Sequence, residues 1–194
     1  MNRSRIFFAG GLIAALIIGI FVGGVFKENG EEHESGSHQG NHSGSRFSDD
    51  DVMFAQMMVP HHQQAVLMSE IALKNSTNPE VLALATQIRD AQAPEIKEMQ
   101  GWLSAADSDL DEGHEMSMSG MLTKTEIENL RSSTGAPFDR LFIEGMIAHH
   151  KSAISMADLV DRSRNAAVKK LAGNIVKAQT AEIKTMEELL TRLP

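Results

Sequence analysis

Met57-Met58-Val59-Pro60-His61-His62-Gln63-Gln64-Ala65-Val66-Leu67-Met68 is answered later in the chain by Gly145-Met146-Ile147-Ala148-His149-His150-Lys151-Ser152-Ala153-Ile154-Ser155-Met156. The two His-His doublets stand 88 residues apart, and the same offset relates Phe54 to Phe142, Met58 to Met146, Ala65 to Ala153 and Met68 to Met156. A companion repeat follows each doublet. Ile88, Gln92, Glu95, Ile96 and Met99 match Ile175, Gln179, Glu182, Ile183 and Met186 at an offset of 87. At about 100° per residue, Phe54, Met57, Met58, Ala65, Met68 and Ala72 share a helical face with His61, and His62 lies at the edge of that stripe. The second copy repeats the arrangement with Phe142, Met146, His149, Ala153 and Met156, His150 again at the edge.

Working outward from the doublets, the chain reads as helices throughout. Ser48-Asp49-Asp50-Asp51 supplies a helix N-cap with acids in the first turn, opening a helix to about Lys74. Asn78-Pro79-Glu80 starts a second helix, proline in its favoured first-turn place, ending near Leu103. Thr123-Lys124-Thr125-Glu126 is a capping box for a short helix, and Gly135-Ala136-Pro137 restarts the chain for a long one to about Asp161. A last helix runs from about Asn165 to Leu193. Pro60 and Pro94 fall inside helices and are expected to kink them, freeing the carbonyls of Gln56 and Asp90. Each half is a helical hairpin, and two hairpins burying their apolar stripes together make an all-α four-helix bundle. Two copies are too few for a solenoid.

The rest of the chain sets the context of that bundle. Ile6 to Phe26 carries no charge across 21 residues, long enough to span a bilayer core of about 30 Å. We read residues 1–27 as a signal-anchor and transmembrane helix, with a cleaved secretory signal as the other reading. Arg3 and Arg5 precede the run, so the remainder is expected on the exported side, periplasmic or extracellular. Residues 28–46 hold Gly, Ser, Glu and His without an apolar side chain, a tether that cannot bury a core. The bundle occupies 47–194, with repeats 47–104 and 137–193 and a Met-rich loop within 105–136. Beyond residue 27 there are 15 Lys and Arg against 26 Asp and Glu, a balance that repels nucleic acid and attracts cations.

The chain has no cysteine, which excludes disulfide scaffolds, thiolate metal sites and c-type haem attachment. Soft-metal ligands must then come from its 12 Met and 8 His. Every histidine lies in the tether (His33, His38, His42), in a doublet, or in the loop at His114. That loop, His114-Glu115-Met116-Ser117-Met118-Ser119-Gly120-Met121, sets one imidazole beside three thioethers. Thioethers select Cu(I) and imidazole accepts either copper valence, whereas neither suits Mg or Ca. The plain alternative is that methionine at helical spacing fills core. On that reading Gln92 and Glu95 bond His61, and Gln179 and Glu182 bond His149. The inward His61 and His149 are the pair most open to it. The edge pair, His62 and His150, together with the Met-rich loop, is the better place for exchangeable copper.

No Glu-x-x-His of di-iron carboxylate bundles, no His-Glu-x-x-His helix, no nucleophile elbow and no phosphate loop occurs. A haem bundle with Met/His axial ligands stays open, although duplicated doublets exceed the two ligands it needs. The segments 54–68 and 142–156, each Phe-x-x-x-Met-x-x-His-His-x-x-Ala-x-x-Met, resemble the domain of unknown function 305 family over about 47–192. The resemblance implies a ferritin-like four-helix bundle and, for some members, periplasmic copper binding in copper tolerance. By motif match it marks Met58, His61, His62, Met68, Met146, His149, His150 and Met156, with Met99 and Met186 as partners across each hairpin. Gly145 departs from the first half, which has Met57 there. The expectation is a membrane-tethered protein that sequesters copper or passes it to a donor or acceptor protein, and is not an enzyme. A structural bundle without metal, or an oxidase acting on Cu(I) or small reductants, are the alternatives.

Overall fold

The computed structural model describes residues 46–110 and 119–194. Five helices account for most of them: α1 (Asp49–Asn75), α2 (Pro79–Ala105), α3 (Lys124–Ser132), α4 (Gly135–Ala157) and α5 (Ala166–Leu190). A single 3₁₀ turn, Asp158–Val160, follows α4, and there is no strand among the described residues. The segment expected to cross a membrane, the His-bearing tether, and His114, Met116 and Met118 of the loop lie outside the described residues. Among the described residues no helix is long and apolar enough to cross a membrane.

Local chemistry sets the helix starts. Ser48 accepts the Asp51 amide at 3.2 Å while the Asp51 carboxylate accepts the Ser48 amide at 2.9 Å, a reciprocal box at the head of α1. Thr123 and Glu126 do the same for α3. Asn78 accepts from Glu80 ahead of α2, and Asn165 from Ala167 and Val168 ahead of α5. Pro60 and Pro94 both sit within uninterrupted helices. The long helix of the second half ends at Ala157, earlier than its apolar pattern suggests, because the next residues tighten into the 3₁₀ turn.

α1 packs on α2, α4 on α5, and the two hairpins meet along α1 and α4. The short α1–α2 connection, residues 76–78, makes those helices antiparallel neighbours. The apolar core divides in two. One cluster holds Met68, Ile88, Phe138, Phe142, Met146 and Met186. The other holds Phe54, Met58, Met99, Met156, Leu171 and Ile175. On every long helix the residues between its two contributions are polar: His61 and His62, Gln92 and Glu95, His149 and His150, Gln179 and Glu182. The core is therefore an apolar–polar–apolar sandwich along the bundle axis. Each fully buried Phe or Met contributes about 1.5–3 kcal/mol to holding that layer shut.

Candidate metal centre

The four doublet histidines have 0% exposure. His61 on α1 and His149 on α4 face each other across the seam between hairpins, with ring centroids 3.6 Å apart. His62 and His150 turn toward the partner helix of their own hairpin. His62 Nε2 lies 2.9 Å from Glu95 Oε2, and His150 Nε2 lies 2.8 Å from Glu182 Oε2. Gln87 on α2 donates to the other Glu182 oxygen at 3.0 Å, so α5's carboxylate holds two partners. The Glu182 side chain is 6% exposed and that of Glu95 20%.

Two expectations are corrected by this geometry. His62 and His150 are not edge residues at the surface. A bundle helix has two neighbours, so its buried stripe is wider than one face, and a side chain about 100° round from the first still points at a helix. For the same reason the carboxylates bond His62 and His150, not His61 and His149. The hairpin partner lies on the doublet's second side, and its first side looks across the seam.

Among the described residues, nine of the eleven buried side-chain N and O atoms without a hydrogen-bond partner belong to this layer. They are both nitrogens of His61 and of His149, Nδ1 of His62 and of His150, both amide atoms of Gln92, and Oε1 of Gln179. A buried unsatisfied polar atom costs about 1–3 kcal/mol. Burial holds the His61 imidazole down to about pKa 3, aided by His62 and His150, so it is neutral. His149 is pushed well below its ordinary value by burial and then by His61, His150 and His62. A neutral imidazole offers a nitrogen lone pair to a metal. Where Nε2–H of His62 or His150 donates to a carboxylate, the lone pair falls on the unpartnered Nδ1, the arrangement of a carboxylate-oriented metal ligand.

The predicted thioethers fall into two sets related by the repeat. Met58, Met99 and Met156 share one apolar cluster, and Met146, Met186 and Met68 share the other. Each set combines two methionines of one hairpin with one from its neighbour. Met121 is half-buried on the segment that leads into α3, apart from both sets. Among the described residues no three His, Asp or Glu side chains gather at metal-ligand spacing. Gln92 and Gln179 were legible only as hydrogen-bonding partners; their unpartnered amide atoms add them to the layer.

Residues 51–190 match the family model described as Domain of unknown function (DUF305), and the chain belongs to that family. A DUF305 protein of Streptomyces coelicolor is 33% identical with a TM-score of 0.69, covering 74% of this chain and 93% of that one. A DUF305 fragment from Deinococcus radiodurans is 31% identical with a TM-score of 0.70, covering 76% and 99%. CopM in its Cu(I)-bound form is 34% identical with a TM-score of 0.62, covering 73% and 96%. CopM is also known in Cu(II)-bound and silver-bound forms. Among curated proteins there is no match.

Proposed function

We propose that this member of the domain of unknown function 305 family binds copper in the core of its bundle and stores the ion or hands it to another protein. The observation that carries the reading is the polar layer. It holds the neutral, fully buried imidazoles of His61 and His149, whose nitrogens lack partners, and the unpartnered Nδ1 atoms of His62 and His150, between two clusters that each contain three thioethers. Six thioethers beside four imidazoles, with no thiolate in the chain, suit Cu(I), with Cu(II) accepted through the histidines. Copper- and silver-bound forms of CopM, 34% and 33% identical to this chain, support the same class of ion.

The two His–Glu pairs of the layer are buried on the histidine side and spend their hydrogen bonds on each other. Sequestration or transfer fits better than catalysis. The apolar run of residues 6–26 would tether the bundle on the exported side of a membrane, with a copper donor or acceptor protein as its partner. A purely structural bundle accounts for the two His–Glu bonds but leaves nine layer atoms unsatisfied.

The test is anaerobic titration of the protein with Cu(I) against a competing chelator, repeated on a variant with His61, His62, His149 and His150 changed to Gln. Sub-micromolar binding that weakens at least a hundredfold in a variant of unchanged helicity supports the proposal. Equal affinity in the two proteins, or none in the parent, sinks it.

A further inference from the structure

The two halves of the repeat part company where their thioethers approach the surface. Met156 is 7% exposed, while the other five methionines of the two sets are at 0%. Met156 and the half-buried Met57 together line an open cavity of about 620 Å³ over α4, with Gly120, Ala148 and Ser152 on its walls.

The equivalent surface on α1 is closed. Met68, the counterpart of Met156, is fully buried, and Gly145 stands where the first half has Met57. Leu122 occupies the space so vacated: a Cβ on Gly145 would lie 3.2 Å from Leu122 Cδ1 and 3.4 Å from Met68 Cε. Leu122 is held there by Gln64, which donates to its carbonyl at 2.9 Å and accepts its amide at 2.7 Å. The cavity beside Gly145, about 350 Å³, is lined by Leu122 and Met121 and by none of Met68, Met146 and Met186.

We infer that the cavity at Met57 and Met156 is the entry port for a soft monovalent metal ion, and that Leu122 is a plug sealing the corresponding approach to Met68. The inference rests on the copper reading above and adds a route and an order of filling. A Cu(I) ion arriving from solvent meets the Met57 sulfur first and passes to Met156, which belongs to the same cluster as Met58 and Met99. Exchange between thioethers replaces one ligand at a time, so the ion is never bare. The second set lies behind Leu122; the sulfur in the cavity on that side, Met121, belongs to neither set, and the second set fills only when the plug moves.

Two measurements on the full chain in detergent micelles test this, and the first needs no metal. Under dilute hydrogen peroxide, peptide mass spectrometry is expected to show Met57 and Met156 oxidised at least tenfold faster than Met68. Leu122→Ala is expected to raise the Met68 rate by a similar factor. Equal rates for Met156 and Met68 in the parent, or no change in Leu122→Ala, overturn the port-and-plug assignment.

The second measurement is stopped-flow uptake of Cu(I) from a coloured chelator complex. Two phases are expected. Met57→Leu, which keeps the volume but removes the sulfur, should slow the fast phase at least fivefold and leave the stoichiometry unchanged. Leu122→Ala should speed the slow phase alone. A single phase, or variants that move neither rate, overturn the inference while the copper reading stands. No Cu(I) uptake in the parent overturns both.

Discussion

A carboxylate in the polar layer acts on its histidine by fixing which ring nitrogen carries the proton, and the two carboxylates do so under different conditions. Glu182 is nearly enclosed and also holds Gln87, whereas Glu95 is partly in water. Removing one partner of a buried pair is costly because the other is left uncompensated, about 3–5 kcal/mol. Glu182→Ala is therefore expected to destabilise by about 3 kcal/mol or more, against about 1–2 kcal/mol for Glu95→Ala, where water substitutes. Urea unfolding of the two variants decides it, and equal losses would remove the distinction. Protonation gives a second prediction. His61 is held down to about 3 from an ordinary 6.5, and His149 is lowered in the same direction. The unfolded chain binds these protons below about pH 6.5 and the folded metal-free chain does not. The contribution of His61 is thus complete above that pH and is lost as the pH falls toward 3, and His149 acts in the same direction. The slope is on the order of 1 kcal/mol per pH unit for each histidine. Unfolding midpoints flat between pH 5 and 7.5 would contradict the neutral, enclosed state. The doublets and both carboxylates were legible in the sequence as polar side chains at matching places in the two halves. Their pairing was not, since a single helical wheel does not say which neighbour stands on which side of a wide stripe.

At the scale of elements, the helix starts were legible because capping is local: Ser48, Asn78, Thr123 and Asn165 each reach amides only two or three residues away. The strap of residues 119–122 carried no comparable signal. Its hold on the bundle is a Gln64 side chain bonded to one residue's backbone, a Ser152 hydroxyl donating to the Ser119 carbonyl, and a glycine. None of these is periodic. Gly120 has φ +84°, and a Cβ there would fall 2.5 Å from Ser152 Cβ and 2.8 Å from the Ala148 carbonyl oxygen. Gly120→Ala is expected to lift the strap from α4 at a cost of about 1–2 kcal/mol. The amide of Leu122 would then lose protection, so its hydrogen exchange should quicken at least tenfold while amides in mid-α2 keep their rates. Unchanged exchange at Leu122 would show that the strap is not anchored by this close approach.

For the whole molecule, a ligand that binds only the folded state raises stability by an amount set by its concentration over Kd. At one hundred times Kd this is about 2.7 kcal/mol, or roughly 5–10 °C in Tm for a chain of this size. Cu(I) is expected to raise the thermal midpoint by that much and Mg²⁺ to leave it unmoved, since thioether and imidazole do not suit a hard cation. Equal effects of the two ions would argue for the acidic surface as the binding element. The all-helical architecture was legible from the doubled pattern, because two helical hairpins with matching apolar stripes bury them by packing side by side. The division of the thioethers was not legible, because Met58 and Met68 share one face of one helix in the sequence, whereas packing sends them to opposite clusters. That exchange has a consequence for ancestry. Each hairpin lends one methionine to its neighbour and receives one in return, Met68 for Met156. A lone ancestral hairpin would have completed its set only by docking with a second copy of itself about a two-fold axis. In this chain the two copies are joined end to end, and Leu122, from the joining segment, fills the space beside Gly145 where the first half carries Met57.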